Sequence, residues 1–336
     1  MLQALKKILQ RGRQGKAEVL GVEISPEGLS IACLSIGSGQ IVSHDFRSCG
    51  PGEWPDQLIE LVRQYNLSGL DAYFSLHPKF YNMLLVDAPD VDDAELSDAV
   101  RWRVKDLISQ ALDDVVVDVF RLPPEAYRGR MNMIYASIVE RQVVLSIVEA
   151  SDNAGLNLAS IGINELSLCQ YGKQLDGVEN AGLAFVTLEE HGGVINLTEN
   201  GLLFLSRTID IGLNDLAQGE TVGELSLDNG SRIDALALDI QRSLDYYESQ
   251  LGKSGAVRII FLPTDERIAQ IIEDLKGKVS IELEILDLAG LFELEESESK
   301  GLDLSCMSIG AALFGSQSEQ SKTMKGGARG AVLSTS

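Results

Sequence analysis

The sequence predicts an α/β protein made of two copies of one unit, a three-stranded meander followed by a helix, with the copies facing each other across a cleft. Near the start, apolar runs broken by Gly, Pro and Ser turns predict strands at 20–24, 28–32 and 41–46. The same pattern returns at 183–188, 194–197 and 202–209. Gly28 and Gly192 hold matching turn positions in the two copies. Internal repetition of this kind indicates a duplicated architecture.

The remaining pattern alternates helix and strand periods and divides the chain into four parts. Apolar spacing predicts helices at 54–65, 142–153, 164–175, 233–251 and 268–275, and a longer one from about 95 to 110. We therefore expect a basic N-terminal segment at 1–16, a first half at 17–180 with extra strands and a helix at 90–139, and a second half at 181–315. Residues 316–336 are rich in Ser, Gly and Gln, which predicts a disordered tail.

Composition excludes several classes of function. The chain has 336 residues and a net charge of −22, so free binding to nucleic acid is not expected. No apolar run reaches the length of a membrane span. The four cysteines form no CxxC pair and are interpreted as buried apolar thiols, and the three histidines lack metal-ligand spacing, so no metal site is expected.

The first sixteen residues differ from the rest in charge. They carry five basic residues and no acidic one, and Leu2, Leu5 and Leu9 share one helical face. A short basic amphipathic helix can lie on an anionic membrane surface. A solvated, flexible terminus explains the same pattern equally well, so both interpretations stay open.

One segment mimics a phosphate-binding loop. Gly252-Lys253-Ser254 matches the end of that motif, but Tyr247 stands where its first glycine is required. The segment also follows a predicted helix instead of opening one. We interpret it as a helix terminus, and the sequence contains no G-x-S-x-G hydrolase elbow.

Four stretches, taken in order, resemble the PilM-like proteins of type IV pilus assembly, and among these the branch that serves mannose-sensitive haemagglutinin (MSHA) pili. They are Leu20-Gly21-Val22-Glu23-Ile24, Val100-Arg101-Trp102 with the later 115–118 strand, 239–247 with its Arg-Ser-Leu-x-Tyr-Tyr core, and Ser308-Ile309-Gly310-Ala311-Ala312-Leu313. The resemblance spans about residues 17–314.

This resemblance implies the actin-like ATPase fold, with ribonuclease H-like duplicated domains around a cleft. It also implies a cytoplasmic scaffold at the inner membrane, which binds the cytoplasmic N-terminal peptide of a PilN-like single-pass partner and contacts other pilus assembly components. We expect the peptide to bind the first half, by a groove or by addition to a strand edge. The residues expected at that site are Val86, Ala88, Val91, Val117, Val119 and Leu122.

The resemblance also allows the nucleotide cleft to be assessed. The family's Gly-Ser-Ser turn is Ser25-Pro26-Glu27 here, and Pro26 has no N–H for a phosphate. The family's Asp-Ile-Gly is 187–189, Thr-Leu-Glu, and the adenosine loop is Pro263-Thr264. We therefore expect a degenerate cleft, no bound cofactor and no ATP hydrolysis.

Two alternatives to a scaffold with a degenerate nucleotide cleft remain. In the first, the alignment is shifted by a residue or two, and ATP with Mg²⁺ binds through residues of both turns. Those residues would be Glu23, Ser25, Gly28, Gly192 and Gly193. In the second, the chain is a cell-shape or sugar-kinase relative that shares only the fold, although no catalytic base or sugar-binding segment can be named.

Overall fold

A computed structural model describes residues 18–92, 95–123, 126, 132–217, 229–292, 294 and 299–325. The predicted basic segment at 1–16, residues 127–131 and residues 326–336 of the predicted tail lie outside the described residues. Within the described part, the strands form three sheets. None of the described helices is both long enough and apolar enough to cross a bilayer.

The first half is organised by a mixed sheet with the strand order β3-β2-β1-β4-β8. Its strands are β1 (Glu18–Ser25), β2 (Gly28–Ser35), β3 (Ile41–Ser48), β4 (Asp71–Leu76) and β8 (Asn157–Ile163). Strands β1 and β2 are antiparallel with Ser25 opposite Gly28, so Pro26 and Glu27 form a two-residue turn. Strand β4 runs parallel to β1 and to β8. Helices α1 (Trp54–Tyr65) and α3 (Arg141–Ala154) contribute to its core.

The second half repeats this arrangement, with the strand order β11-β10-β9-β12-β13. Its strands are β9 (Gly182–Glu189), β10 (Gly192–Glu199), β11 (Leu202–Ile209), β12 (Ala256–Phe261) and β13 (Glu282–Ile285). Glu189 lies opposite Gly192, so Glu190 and His191 form the second hairpin turn. The predicted match is confirmed, since Gly28 and Gly192 each open the second strand of a hairpin.

Helices pack around the second sheet and connect it to the first. They are α5 (Leu213–Ala217), α6 (Asn229–Ser249), α7 (Ile268–Leu275) and α8 (Leu288–Leu291), with α4 (Asn164–Leu168) following β8 in the first half. The predicted helix at 164–175 is therefore broken: α4 ends at Leu168 and a separate 3₁₀ turn spans Tyr171–Lys173. Lys253 lies beyond α6, pairs with Glu199 at 3.0 Å and lies over the Phe204 ring, which agrees with a helix terminus.

The extra elements of the first half form a third sheet with the order β5-β7-β6. They are β5 (Tyr81–Asp87), β6 (Val115–Arg121), β7 (Met133–Glu140) and helix α2 (Leu96–Val104). Helix α2 places Leu96, Val100 and Val104 on one face of this sheet. It is shorter than predicted: the Leu107 amide bonds to the Val104 carbonyl at 2.9 Å in a tight turn, and the Leu107 side chain is exposed.

The last helix, α9 (Cys306–Lys325), packs on the first sheet, although the sequence assigned its first residues to the second half. Gly21 of β1 permits this approach, because a Cβ there would lie 1.8 Å from the Ser308 carbonyl oxygen. The predicted disorder from 316 onward is wrong for residues 316–325. Lys173 bonds Gln317 at 2.8 Å, Tyr73 bonds Glu319 at 3.0 Å and Gln320 bonds the Ile36 carbonyl at 2.9 Å, so polar contacts hold the helix.

Candidate functional site: a polar cleft and an apolar groove

Two concave regions stand out, and the first is the cleft between the hairpins. It encloses a cavity of about 260 Å³. Its walls come from the β1–β2 turn, the β9–β10 turn, the start of α4 and the start of α9. The carboxyl ends of β1 and β4, which are parallel in the first sheet, and of β9, which is parallel to β12 in the second sheet, meet here. The carboxyl ends of parallel strands are where α/β folds place their ligand sites.

Glu23 is the centre of a hydrogen-bond network in this cleft. Asn164 donates to Glu23 Oε1 at 2.9 Å and Ser30 donates to Oε2 at 3.3 Å. Ser75 donates to the Asn164 side-chain oxygen at 2.7 Å, and Ser167 donates to Ser75 at 2.8 Å. Burial raises the pKa of Glu23, although the Asn164 bond and the His77 charge oppose that rise.

A second buried carboxyl lies beside it. Glu165, which follows Asn164 in α4, accepts a hydrogen bond from the Tyr81 hydroxyl. Burial raises the pKa of Glu165 and that of Tyr81 well above its ordinary value. The Tyr81 hydroxyl and the Glu165 carboxyl therefore satisfy each other and join β5 to α4 within the protein.

The two halves are joined across the cleft by an ion pair. His77, which follows β4, places Nε2 2.8 Å from Glu189 Oε1 at the end of β9. Burial lowers the pKa of His77, but Glu189 outweighs it and the net direction is upward; the pKa of Glu189 is lowered by the same contact. The Lys79 amide donates to His77 Nδ1 at 3.2 Å, which favours the Nε2–H tautomer and limits the rise.

The second hairpin is also fixed to the loop before α7. Arg267 bonds Glu190 at 2.9 Å and Asp265 at 2.7 Å. Thr264, where the resemblance places the adenosine loop, donates its hydroxyl to the Leu188 carbonyl at 2.8 Å. Glu190, Asp265 and the Thr264 hydroxyl, which border the cleft, are therefore already bonded within the protein.

The predicted nucleotide residues are only partly brought together. Glu23 and Ser25 border the cavity, whereas Gly28, Gly192 and Gly193 are not among its lining residues in the described part of the chain. The glycines serve packing: a Cβ at Gly193 would lie 2.3 Å from the Thr187 carbonyl oxygen. Asn164, Asn196 and Asp303 border the cavity and were missed, although Asn164 is the first residue of the predicted helix at 164–175 and that position was a usable signal.

The lining of the cleft is acidic. Its seven acidic residues face one basic lining side chain, His77, among the residues that the structure describes. The acidic residues are Glu23, Glu27, Glu165, Glu189, Glu190, Asp265 and Asp303. In the same described residues, no cluster of three or more His, Cys, Asp or Glu side chains could hold a metal ion. This lining does not fit a triphosphate with Mg²⁺, because the charges would repel and Pro26 offers no N–H.

The second concave region is an apolar groove in the first half. It holds a cavity of about 210 Å³ between β6 and β8, closed at one end by α9. Val116, Phe120 and Phe314 line it, and Phe314 packs edge-on against Tyr73 with 6.3 Å between ring centroids. Both β6 and β8 are edge strands of their sheets, so each presents unpaired backbone groups on one side.

One polar atom inside the groove lacks a partner. Ser137 on β7 borders the groove and is 9% exposed, and its hydroxyl oxygen has no hydrogen-bond partner among the residues that the structure describes. Buried hydroxyls are almost always hydrogen-bonded in native proteins. A ligand in the groove would supply that bond, and Asp118 at the rim would favour a basic neighbour.

Most of the predicted partner-binding residues lie elsewhere. Side chains alternate along a strand, so β6 has two faces. Val86, Ala88, Val91 and Val117 pack beneath α2, and Leu122 lies in the core cluster of the second half. Of the six, Val119 borders the groove. The groove face of β6 carries Val116, Asp118 and Phe120 instead.

No protein-family model and no curated protein sequence matches this chain. Solved structures do resemble it. One is the PilM-PilN type IV pilus biogenesis complex, with a TM-score of 0.66 and 17% identity over 89% of this chain and 98% of that chain. Another is a Bacteroides thetaiotaomicron protein of unknown function with an actin-like ATPase fold, with a TM-score of 0.50 and 11% identity over 84% of this chain and 98% of that chain. The fold is the actin-like ATPase fold, as the sequence resemblance implied.

Proposed function

We propose that this chain is a scaffold of a type IV pilus assembly machine and that it binds an extended segment of a partner protein in the groove between β6 and β8. The partner is a PilN-like single-pass inner-membrane protein, and the segment is its cytoplasmic N-terminal peptide. The carrying observation is the groove itself, which has an apolar lining, two open strand edges and an unpartnered Ser137 hydroxyl. The fold-level likeness to the PilM-PilN complex supports the choice of partner.

The groove suits a peptide because it offers two kinds of recognition. An edge strand adds main-chain hydrogen bonds to an incoming extended segment, and pockets beside it accept alternate side chains. Val116, Phe120 and Phe314 provide apolar contact on this path. The segment that fits best is therefore extended and apolar, with a hydrogen-bonding group opposite Ser137.

The sequence resemblance narrows the proposal to MSHA-type pilus assembly, in the role of the MshI proteins. In this role the chain acts at the cytoplasmic face of the inner membrane. We place residues 1–16 there as a secondary, reversible contact, because each basic group adds about 1 kcal/mol near an anionic leaflet. Flotation with anionic vesicles would test it, and equal recovery of the full chain and a chain lacking residues 1–16 would argue against it.

We further propose that the chain does not hydrolyse ATP. The acidic lining, the Pro26 turn and the internal pairing of Glu189 and Glu190 support this. The competing function is that of an ATP-binding pilus assembly ATPase. It is favoured by the position of the cavity between the two hairpins, at the carboxyl ends of strands, where α/β folds commonly bind ligands.

A peptide capture experiment tests the scaffold role. Immobilised peptides covering the cytoplasmic N-terminal segments of single-pass membrane proteins from the same pilus operon are incubated with the full chain. Phe314→Ala should weaken capture because Phe314 lines the groove, while Leu202→Ala is the matched control, since Leu202 is 53% exposed and lies outside the groove. If no peptide captures the chain, or if both variants behave alike, the scaffold proposal is wrong.

A further inference from the structure

We propose that the cleft between the two hairpins binds an organic cation, an amine or a guanidinium group, and not a nucleotide. This site differs from the groove, so the proposal does not depend on partner binding there. The geometry points to it through three features: the excess of carboxylates, a buried amide without a hydrogen-bond partner, and apolar walls between the acidic residues.

The charge around the cavity is strongly one-sided. Glu27 at the tip of the first hairpin and Asp303 at the start of the last segment have exposed side chains that border the cavity. His77 compensates Glu189, and the single Arg267 serves both Glu190 and Asp265. A cleft lined by one sign of charge focuses the field and concentrates counter-ions of the opposite sign.

The second feature is independent of the carboxylates. Asn196 of β10 borders the cavity and is 3% exposed, and its side-chain oxygen has no hydrogen-bond partner within the described part of the chain. A buried amide oxygen without a donor is costly, so a ligand donor at this position would be favoured. Amines and guanidinium groups carry only donors, which suits an acceptor that has none.

Glu23 adds further acceptor capacity. Each of its oxygens accepts one bond from the protein, from Asn164 and from Ser30, while a carboxylate offers about four lone-pair sites in all. Burial raises the pKa of Glu23, so a bound cation would favour the ionised form and release protons under mildly acidic conditions. That release gives the site a signature that simple surface association lacks.

The residues that line the cavity indicate which kind of cation would bind there. No three-ligand metal cluster exists among the described residues, so a divalent metal is disfavoured. Leu168, Leu188 and Met307 also border the cavity and suit the methylene chain of an amine or of an arginine or lysine side chain. A volume of about 260 Å³ accommodates such a chain. The cation could be a free polyamine or a side chain of a bound protein.

Calorimetric titration of the full chain distinguishes these sources. One arm uses spermidine, and a second uses a capped apolar peptide with one arginine beside its citrulline counterpart. We expect saturable binding in at least one arm, weaker at high salt because screening shortens the reach of the carboxylates. Heats measured in buffers of different ionisation enthalpy should show proton release at mildly acidic pH.

Substitutions of residues that line the cleft test whether the cation binds there. The double variant Glu27→Gln/Asp303→Asn should weaken the affinity about tenfold, and Asn196→Ala about fivefold. The matched control is Glu60→Gln/Asp152→Asn, which removes two exposed acids that do not border the cavity. Melting temperatures of all variants report whether the fold is retained.

The proposal fails if neither probe saturates, if the citrulline peptide binds as well as the arginine peptide without spermidine binding, or if Mg²⁺ alone reproduces the signal. Equal weakening by the control variant would also overturn it, since that indicates general attraction to an acidic surface. If Asn196→Ala loses its fold, the Glu27/Asp303 variant still decides the question.

Discussion

The cleft and the groove are both cavities, but the residues that line them differ in polarity and in how far they are hydrogen-bonded within the protein. In the cleft, Glu23, Glu165, Glu189 and Glu190 each have a hydrogen-bond or ion-pair partner from another part of the same chain. In the groove, the lining is mostly apolar and the Ser137 hydroxyl has no partner. Changes to these paired carboxylates of the cleft are therefore expected to affect mainly stability, and changes in the groove lining mainly partner binding, while Glu27, Asp303 and Asn196 are the cleft residues expected to affect ligand binding there.

Adjacent residues of β6 provide the sharpest test of this contrast. Val116→Asp places a carboxylate in the groove and should weaken peptide affinity about thirtyfold or more, because an unpaired charge against an apolar segment costs about 2 kcal/mol or more. Val117→Asp places it beneath α2 and should lower the free energy of unfolding by about 3 kcal/mol or more. Urea unfolding and peptide titration measure both. Equal loss of stability in the two variants would contradict the assignment of faces.

The duplicated hairpins could be predicted from the sequence, but the face of β6 that lines the groove could not. The hairpins could be predicted because Gly28 and Gly192 each follow an apolar run and a short polar turn. Strand β6 carries apolar residues at both odd and even positions from Val115 to Phe120, with Asp118 as the one polar residue, so period-two alternation gives only a weak signal of which face is core. The predicted residues therefore included Val117, which packs beneath α2, and Val119, which borders the groove, but not Val116 or Phe120.

The cleft and the last helix show two other limits. Asn164 opens helix α4, Asn196 lies on β10 and Asp303 lies in a 3₁₀ helix at 302–305, so elements far apart in sequence supply them and only the completed fold places them around one cavity. Helix α9 buries small residues, such as Ala312 and Ser308, against the first sheet. Its Ser- and Gln-rich end carries a weak hydrophobic signal, and for that reason it resembles a disordered tail.

Two tyrosine–carboxylate hydrogen bonds allow the stability contributed by a buried contact of the cleft to be compared with that of a part-buried contact outside it. Tyr81→Phe removes the donor to buried Glu165 and should cost about 1–3 kcal/mol of stability, because a buried acceptor is left unsatisfied. Tyr65→Phe removes the bond to Asp45, of 3.0 Å, at a part-buried site and should cost about 0.5 kcal/mol. Thermal or denaturant unfolding measures both. Equal costs would mean that the cleft is not a stabilising polar core.

Loss of the His77–Glu189 ion pair across the cleft is expected to lower stability by a smaller amount, and this amount should depend on pH. The raised pKa of His77 means that its contribution is full below the unfolded value, about 6.5, and is lost as pH rises through the folded value. The lowered pKa of Glu189 means that its contribution is lost as pH falls through that group's folded value. His77→Gln should therefore cost most near pH 6, about 1 kcal/mol, and less at pH 8.5. A pH-independent difference would show that the pair contributes no linked charge.

The central claim, that the groove binds the partner segment and the cleft does not bind a nucleotide, is tested most directly by paired calorimetric titrations of the full protein. One titration uses the partner's N-terminal peptide identified by capture, and the other uses Mg-ATP. We expect saturable peptide binding that Val116→Asp abolishes and Glu23→Ala leaves unchanged, and no saturable binding of Mg-ATP. A micromolar dissociation constant for Mg-ATP that Glu23→Ala abolishes, together with peptide binding indifferent to Val116→Asp, would contradict the account.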